Sequence, residues 1–267
     1  MSRAPDLALR FLADRRRSLA VWAASLAAYA AFIVSFFPSI RDSPSFATAL
    51  EDYPDALKEL FGGEAGFDLT SGPGFIGAEL YYLALPILLA VVAIGYGASL
   101  GAEQESGLID LVLANPLSRR RVVAERALAI VVAVTLLAAV VTAVVAVGDE
   151  LVGLEIGISA LLAAATANVV LAVLHGLVAL TAAAVTGKRT PAVGTATGVF
   201  ALGYLLYVAA GFVDWLEPGR VLSPYWHATA SSPLATGWSL GDLTVLVAAS
   251  AAVFVAAVFA FDRKDLA

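Results

Sequence analysis

A chain of 267 residues that is 60% hydrophobic and 14% charged, with a mean hydropathy of +0.87, is excluded from the soluble domains and reads as one integral membrane domain, 1–267. The absence of cysteine removes disulfides, thiolate metal sites and Cys nucleophiles together. The net charge of −6 hides a segregation of signs between loops.

The first 18 residues carry five Arg. Leu7, Ala8, Phe11 and Leu12 form an apolar stripe, with Arg10, Asp14 and Arg15 facing away. That pattern predicts an amphipathic helix on the inner leaflet, its Arg cluster against anionic lipid headgroups. The run Leu19–Pro38 is too long for a signal-peptide core and is expected to stay as a membrane span. Segment 39–79 follows, rich in acids from Asp42 to Glu79. Within it Phe46, Leu50, Tyr53, Leu57, Leu60 and Phe61 recur at helical spacing, ended by Gly62-Gly63.

Further apolar runs at Leu80–Leu100, Ala127–Val147, Glu155–Val185, Pro191–Val213 and Leu243–Phe261 complete six spans, predicting an all-α membrane protein. Glu79 opens the second and is expected to stay hydrated. Gly95, Gly97 and Gly101 near its end are explained best by close helix packing. Asn168 and His175, seven residues apart, share one side of the fourth span and are expected to bridge helices by hydrogen bonds. Gly194 and Gly198 form a GxxxG in the fifth. The segment 214–242 interrupts itself with Pro218, Pro224 and Pro233 and carries Trp215, Trp226 and Trp238. It suits either an ordinary loop or one that dips into the membrane interface and returns.

Orientation follows from the basic residues. Segments 1–18, 101–126, 186–190 and 262–267 hold thirteen Lys and Arg, and the alternating loops hold three. Both termini and the 101–126 island are therefore expected in the cytoplasm of a plasma-membrane protein, with 39–79 outside. No nucleic-acid partner is expected.

The island Gly101–Arg126 is the most distinctive part of the chain. It holds four Arg and four carboxylates around a short apolar helix pattern, Leu108, Ile109, Leu111, Val112 and Leu113, stopped by Asn115-Pro116. Apolar residues just outside a membrane need another surface to cover them, and a cytoplasmic protein is the simplest one. No nucleotide-binding loop is recognisable in the chain. Its Gly187-Lys188 pair lacks the rest of a nucleotide-binding loop, with Ala182 at the first glycine position and Arg189 after the lysine. Two histidines on different segments also fit neither an intramembrane hydrolase nor a haem protein.

Glu103 and Glu105, Gly107, Leu108–Leu113, Ala114-Asn115-Pro116 and Ser118-Arg119-Arg120 together resemble the loop between spans two and three in permease subunits of type-2 ATP-binding-cassette (ABC) transporters. Weaker echoes are Tyr53-Pro54 to Leu60-Phe61-Gly62, Ser223-Pro224-Tyr225 and Asp262–Leu266. Where that family often has Gly-Lys before span three, this chain has Glu125-Arg126. The resemblance implies that the loop is a coupling helix seated on a separate ATPase subunit, through Glu103, Glu105, Gly107, Leu108, Leu111, Val112, Pro116, Arg119 and Arg120. It further implies a connecting helix at 1–18, re-entrant helices within 214–242, a second permease subunit, export rather than import, and ATP bound by the partner with no cofactor in this chain. A secondary transporter and a non-transporting scaffold for a cytoplasmic protein are the alternatives.

Overall fold

A computed structural model describes residues 7–43, 68–109 and 118–263. The fold is all-helical, and six helices among the described residues are long and apolar enough to cross a membrane. The outer helix expected over Phe46–Phe61 lies outside the described residues.

Helix α1, Leu7–Asp14, is followed at Arg15 by α2, Arg16–Arg41. Helix α3, Gly72–Glu105, starts with Ser71 Oγ accepting from the Gly74 N–H at 3.2 Å and Pro73 in its first turn. Its stretch Gly77–Ala84 is π-helical. Helix α4, Arg119–Val152, is capped by Ser118, whose Oγ accepts from Arg121 N at 3.3 Å. Then come α5, Ile158–Thr186, and α6, Arg189–Ala210. A 3-10 segment, Asp214–Leu222, leads to two short helices, α7, Pro224–Thr229, and α8, Pro233–Thr236, before α9, Leu240–Asp262.

Helices α3 and α4 each run 34 residues, longer than the apolar runs within them. At 1.5 Å per residue that is about 51 Å, well beyond a hydrocarbon core of about 30 Å. Both helices overrun their apolar runs at each end, and residues 101–105 of α3 and 119–126 of α4 share the end that also carries α1, the start of α2 and the end of α9. We call this end basal and the other distal.

Helix α5 sits at the centre, packed by α3, α4, α6 and α9. Small residues permit this. A Cβ at Gly97 would overlap the Gly176 carbonyl of α5, and one at Gly101 would overlap the backbone at Lys188. Lipid tails are as apolar as leucine, so such close contacts and the hydrogen bonds below hold the bundle. Gly194 and Gly198 behave differently: nothing lies within 4 Å of where their side chains would be, so the GxxxG is not a packing face of the described bundle. Phe32, Leu202, Leu205 and Phe259 point outward, as lipid-facing side chains of spans do.

The amphipathic helix α1 forms as the stripe predicts, with one correction. Ala8 and Phe11 are buried against the protein, on α4 and on Tyr96 of α3, and Arg15 folds back over the Phe11 ring instead of facing away.

Candidate functional site

The basal end is tied by charged side chains on the two stems of the 101–126 island. Glu103, in the last turn of α3, accepts two hydrogen bonds from Arg126 Nη2 of α4, at 2.6 and 2.8 Å. The two side chains are only 23% and 10% exposed. At that depth the loss of one partner leaves a charge that costs about 3–5 kcal/mol. The Arg126 guanidinium also lies 3.7 Å from the centroid of Phe11, which Arg15 approaches to 3.6 Å. Phe11 in turn meets Tyr96 edge-on at 5.2 Å. Glu125 Oε2 accepts from the Ala8 N–H at 3.2 Å, where the start of α1 leaves donors without helical partners. Thus Glu125-Arg126, where the sequence departs from its resemblance, is the pair that docks α1 on α4.

The other stem residues bond to neighbouring helix ends. Glu105 Oε2 accepts from the Arg189 N–H at 3.1 Å, placing a carboxylate at the positive end of α6. Gln104 donates to the Ala183 carbonyl near the end of α5 at 3.1 Å. On the α4 side, Arg120 donates twice to Asp262 Oδ2 at 2.7 and 2.9 Å, and Arg119 donates to the Phe261 carbonyl at 3.5 Å. The sequence reading displays these charges around an exposed helix. The structure instead uses Glu103, Glu105, Arg119 and Arg120 to fasten the stems to α4, α6 and α9.

Gly107 ends α3 with φ +71, a left-handed conformation that a side chain would strain. Beyond it Leu108 is exposed and Ile109 buried. Leu111, Val112 and Pro116 lie outside the described residues.

A second polar group sits inside the bundle. Pro86 has no N–H, so carbonyls one turn earlier on α3 lose a helical donor, and the π-helical stretch shifts which ones. Both candidates are taken by side chains. Asn168 Nδ2 donates to the Tyr81 carbonyl at 3.0 Å and to Ala164 of its own helix at 2.9 Å, and Tyr225 OH of α7 donates to the Tyr82 carbonyl. The phenol groups extend the network. Tyr81 OH pairs with Thr142 Oγ1 of α4 at 3.1 Å, and Tyr82 OH accepts from the Leu234 N–H of α8 at 3.1 Å. The 214–242 segment therefore returns to the bundle through α7 and α8, with Tyr225 and Leu234 buried, while Trp215 and Trp238 stay exposed. His227 completes this end, with Nδ1 2.8 Å from Asp242 Oδ1 and Nε2 2.9 Å from the Val221 carbonyl.

His175 does something else. Its Nδ1 lies 2.8 Å from the Leu171 carbonyl of its own helix, and its ring packs edge-on against Phe200 at 5.0 Å. Glu79 is exposed, and its carbonyl accepts from Tyr29 OH at 3.3 Å. Sequence reasoning missed the roles of Tyr81, Tyr82 and Tyr225. The available signal was a proline four residues after paired tyrosines in a span, which obliges other groups to satisfy the freed carbonyl. Among the described residues no three His, Asp or Glu side chains cluster to hold a metal ion.

Residues 6–262 match the family model described as Multidrug efflux system permease Rv1217c, C-terminal domain. No curated protein matches the chain.

Proposed function

The chain belongs to the family of the Rv1217c multidrug efflux permease C-terminal domain and is thus a membrane transporter permease, and from that premise we propose that it is the permease subunit of a type-2 ABC exporter. A separate ATPase drives it, a second permease subunit completes the translocation path, and both termini face the cytoplasm. The family description, an efflux system, supports export.

The observation that carries the reading is how the stems flanking 110–117 are fastened. The α3 stem holds α4 through Glu103 and α6 through Glu105. The α4 stem holds α9 through Arg120 and α1 through Glu125. A push delivered to the segment between them reaches α1, α4, α6 and α9 together. A linker with no mechanical role needs no such ties, and a coupling element does.

The test is Leu111→Asp, which puts a charge on the apolar face proposed to enter the ATPase groove, where a buried charge without a counterion costs several kcal/mol. The variant is expected to insert normally, and its ATPase subunit to dissociate or to hydrolyse ATP without transport. Retention of both assembly and transport would leave the segment a linker and remove this reading.

A further inference from the structure

A cleft of about 590 Å³ opens on the side of the bundle between the start of α2, the basal half of α3 and the first residue of α6. Its walls change character along its length. Arg15, Arg189 and Glu103 line the basal part, and Trp22, Val91 and Val92 line the part deeper in the span. Val91 and Glu103 are twelve positions apart on one helix, so the cleft follows α3 for about 18 Å. Gly95 lies on its floor, and a side chain there would project into open space, with nothing within 4 Å.

The charges at the basal part do not balance. Glu103, the carboxylate that lines the cleft, already receives both Arg126 hydrogen bonds. Glu105 is turned to the backbone N–H of Arg189, and Asp14 is exposed. Burial lowers the pKa of the Arg15 guanidinium below its ordinary value; Glu103, Tyr96 and Asp14 act against this, and Arg189 adds to it. Arg15 is half-buried and Arg189 is exposed, and both cations line this one cleft, so an anion held there is favoured. Guanidinium forks suit phosphate oxygens in particular. Arg15 immediately precedes the membrane-spanning helix α2, which is headgroup depth.

We propose that this cleft binds an anionic phospholipid, with its phosphodiester between Arg15 and Arg189 and one acyl chain along Trp22, Val91, Val92 and Gly95. The two arginines select against a zwitterionic headgroup, and the apolar length selects against a free anion. The bound phosphate joins the α1–α2 junction to the start of α6, two places that approach the same cleft from different helices. This site stands on the cleft alone and does not depend on the transport reading.

Native mass spectrometry of the purified, delipidated full chain tests it, with phosphatidylglycerol and phosphatidylcholine of identical acyl chains. The wild type is expected to retain one phosphatidylglycerol at concentrations where phosphatidylcholine is lost. Gly95→Leu fills the chain groove and leaves every charge in place, and its Cβ meets nothing within 4 Å, so its thermal stability is expected to hold while phosphatidylglycerol retention weakens about tenfold. Arg15→Gln and Arg189→Gln are expected to abolish the preference between the two lipids. Millimolar inorganic phosphate is expected not to displace the lipid. Equal retention of the two lipids by the wild type, or unchanged retention in Gly95→Leu, overturns the proposal. Displacement by inorganic phosphate marks a free-anion site and overturns it too. Arg15 also touches Phe11, so a loss of stability in Arg15→Gln leaves the decision to Gly95→Leu.

Discussion

Removing Glu103 should destabilise this protein more than removing any exposed charge at the same end, and removing its partner as well should restore part of the loss. The carboxylate accepts two hydrogen bonds from Arg126, whose side chain is 10% exposed and lies over Phe11. In Glu103→Leu the guanidinium stays where it is, without a counterion, so the expected loss is about 3–5 kcal/mol. In Glu103→Leu/Arg126→Leu no buried charge remains, and two apolar side chains meet where the pair was. The expected loss is then smaller, about 1–2 kcal/mol, because the contact with Phe11 is weakened and a long stem is shortened. Arg120→Leu is the reference. Its side chain is 68% exposed, so its bond to Asp262 should contribute about 0–1 kcal/mol. Reversible unfolding in mixed detergent micelles, followed by tryptophan fluorescence, gives the free energies of the wild type, Glu103→Leu, Arg126→Leu, the double variant and Arg120→Leu. A double variant whose loss equals the sum of the two single losses would refute the argument, since the pair would then act as two independent charges.

The interior network and the loop charges give three further expectations. Asn168→Ala should cost about 0.6–2 kcal/mol in the same unfolding assay, because the Tyr81 carbonyl loses its donor, with substrate preference unchanged. His175→Leu should cost less than that, since Leu171 keeps its own helical bond; a larger loss, or an altered substrate profile in either variant, would show that these groups do more than hold helices. Both termini and the 101–126 island should be reachable from the cytoplasmic side. Single cysteines at Ser106 and Asp265 should react with an impermeant probe only in opened cells and one at Ser45 in intact cells, an assay kept clean by the lack of native Cys. Labelling of Ser106 in intact cells would reject the orientation.

The six spans and the amphipathic helix before them were legible in the linear pattern, because each depends on local quantities. Twenty or so apolar residues in series must form a helix in lipid, where no water satisfies the backbone. Leu7, Ala8, Phe11 and Leu12 share a face by helical geometry alone. What covers that face was not local. Only the fold brings Glu125, 117 residues from Ala8, to the start of α1, and sets Arg126 over Phe11. The same limit hid the fate of the island's charges. Four Arg and four carboxylates around an apolar pattern look, in one dimension, like a solvated display. Yet Glu105 meets Arg189, and Arg120 meets Asp262, 142 positions away. A charge's partner depends on which helix ends share a level in the bundle, and that is set by helix length and crossing, here by the 34-residue reach of α3 and α4. Pro86 shows the division most clearly. Its missing N–H, readable in the sequence, required some donor for a buried carbonyl; the approach of α5 and α7 decided that Asn168 and Tyr225 would supply the two that the π-helical stretch presents.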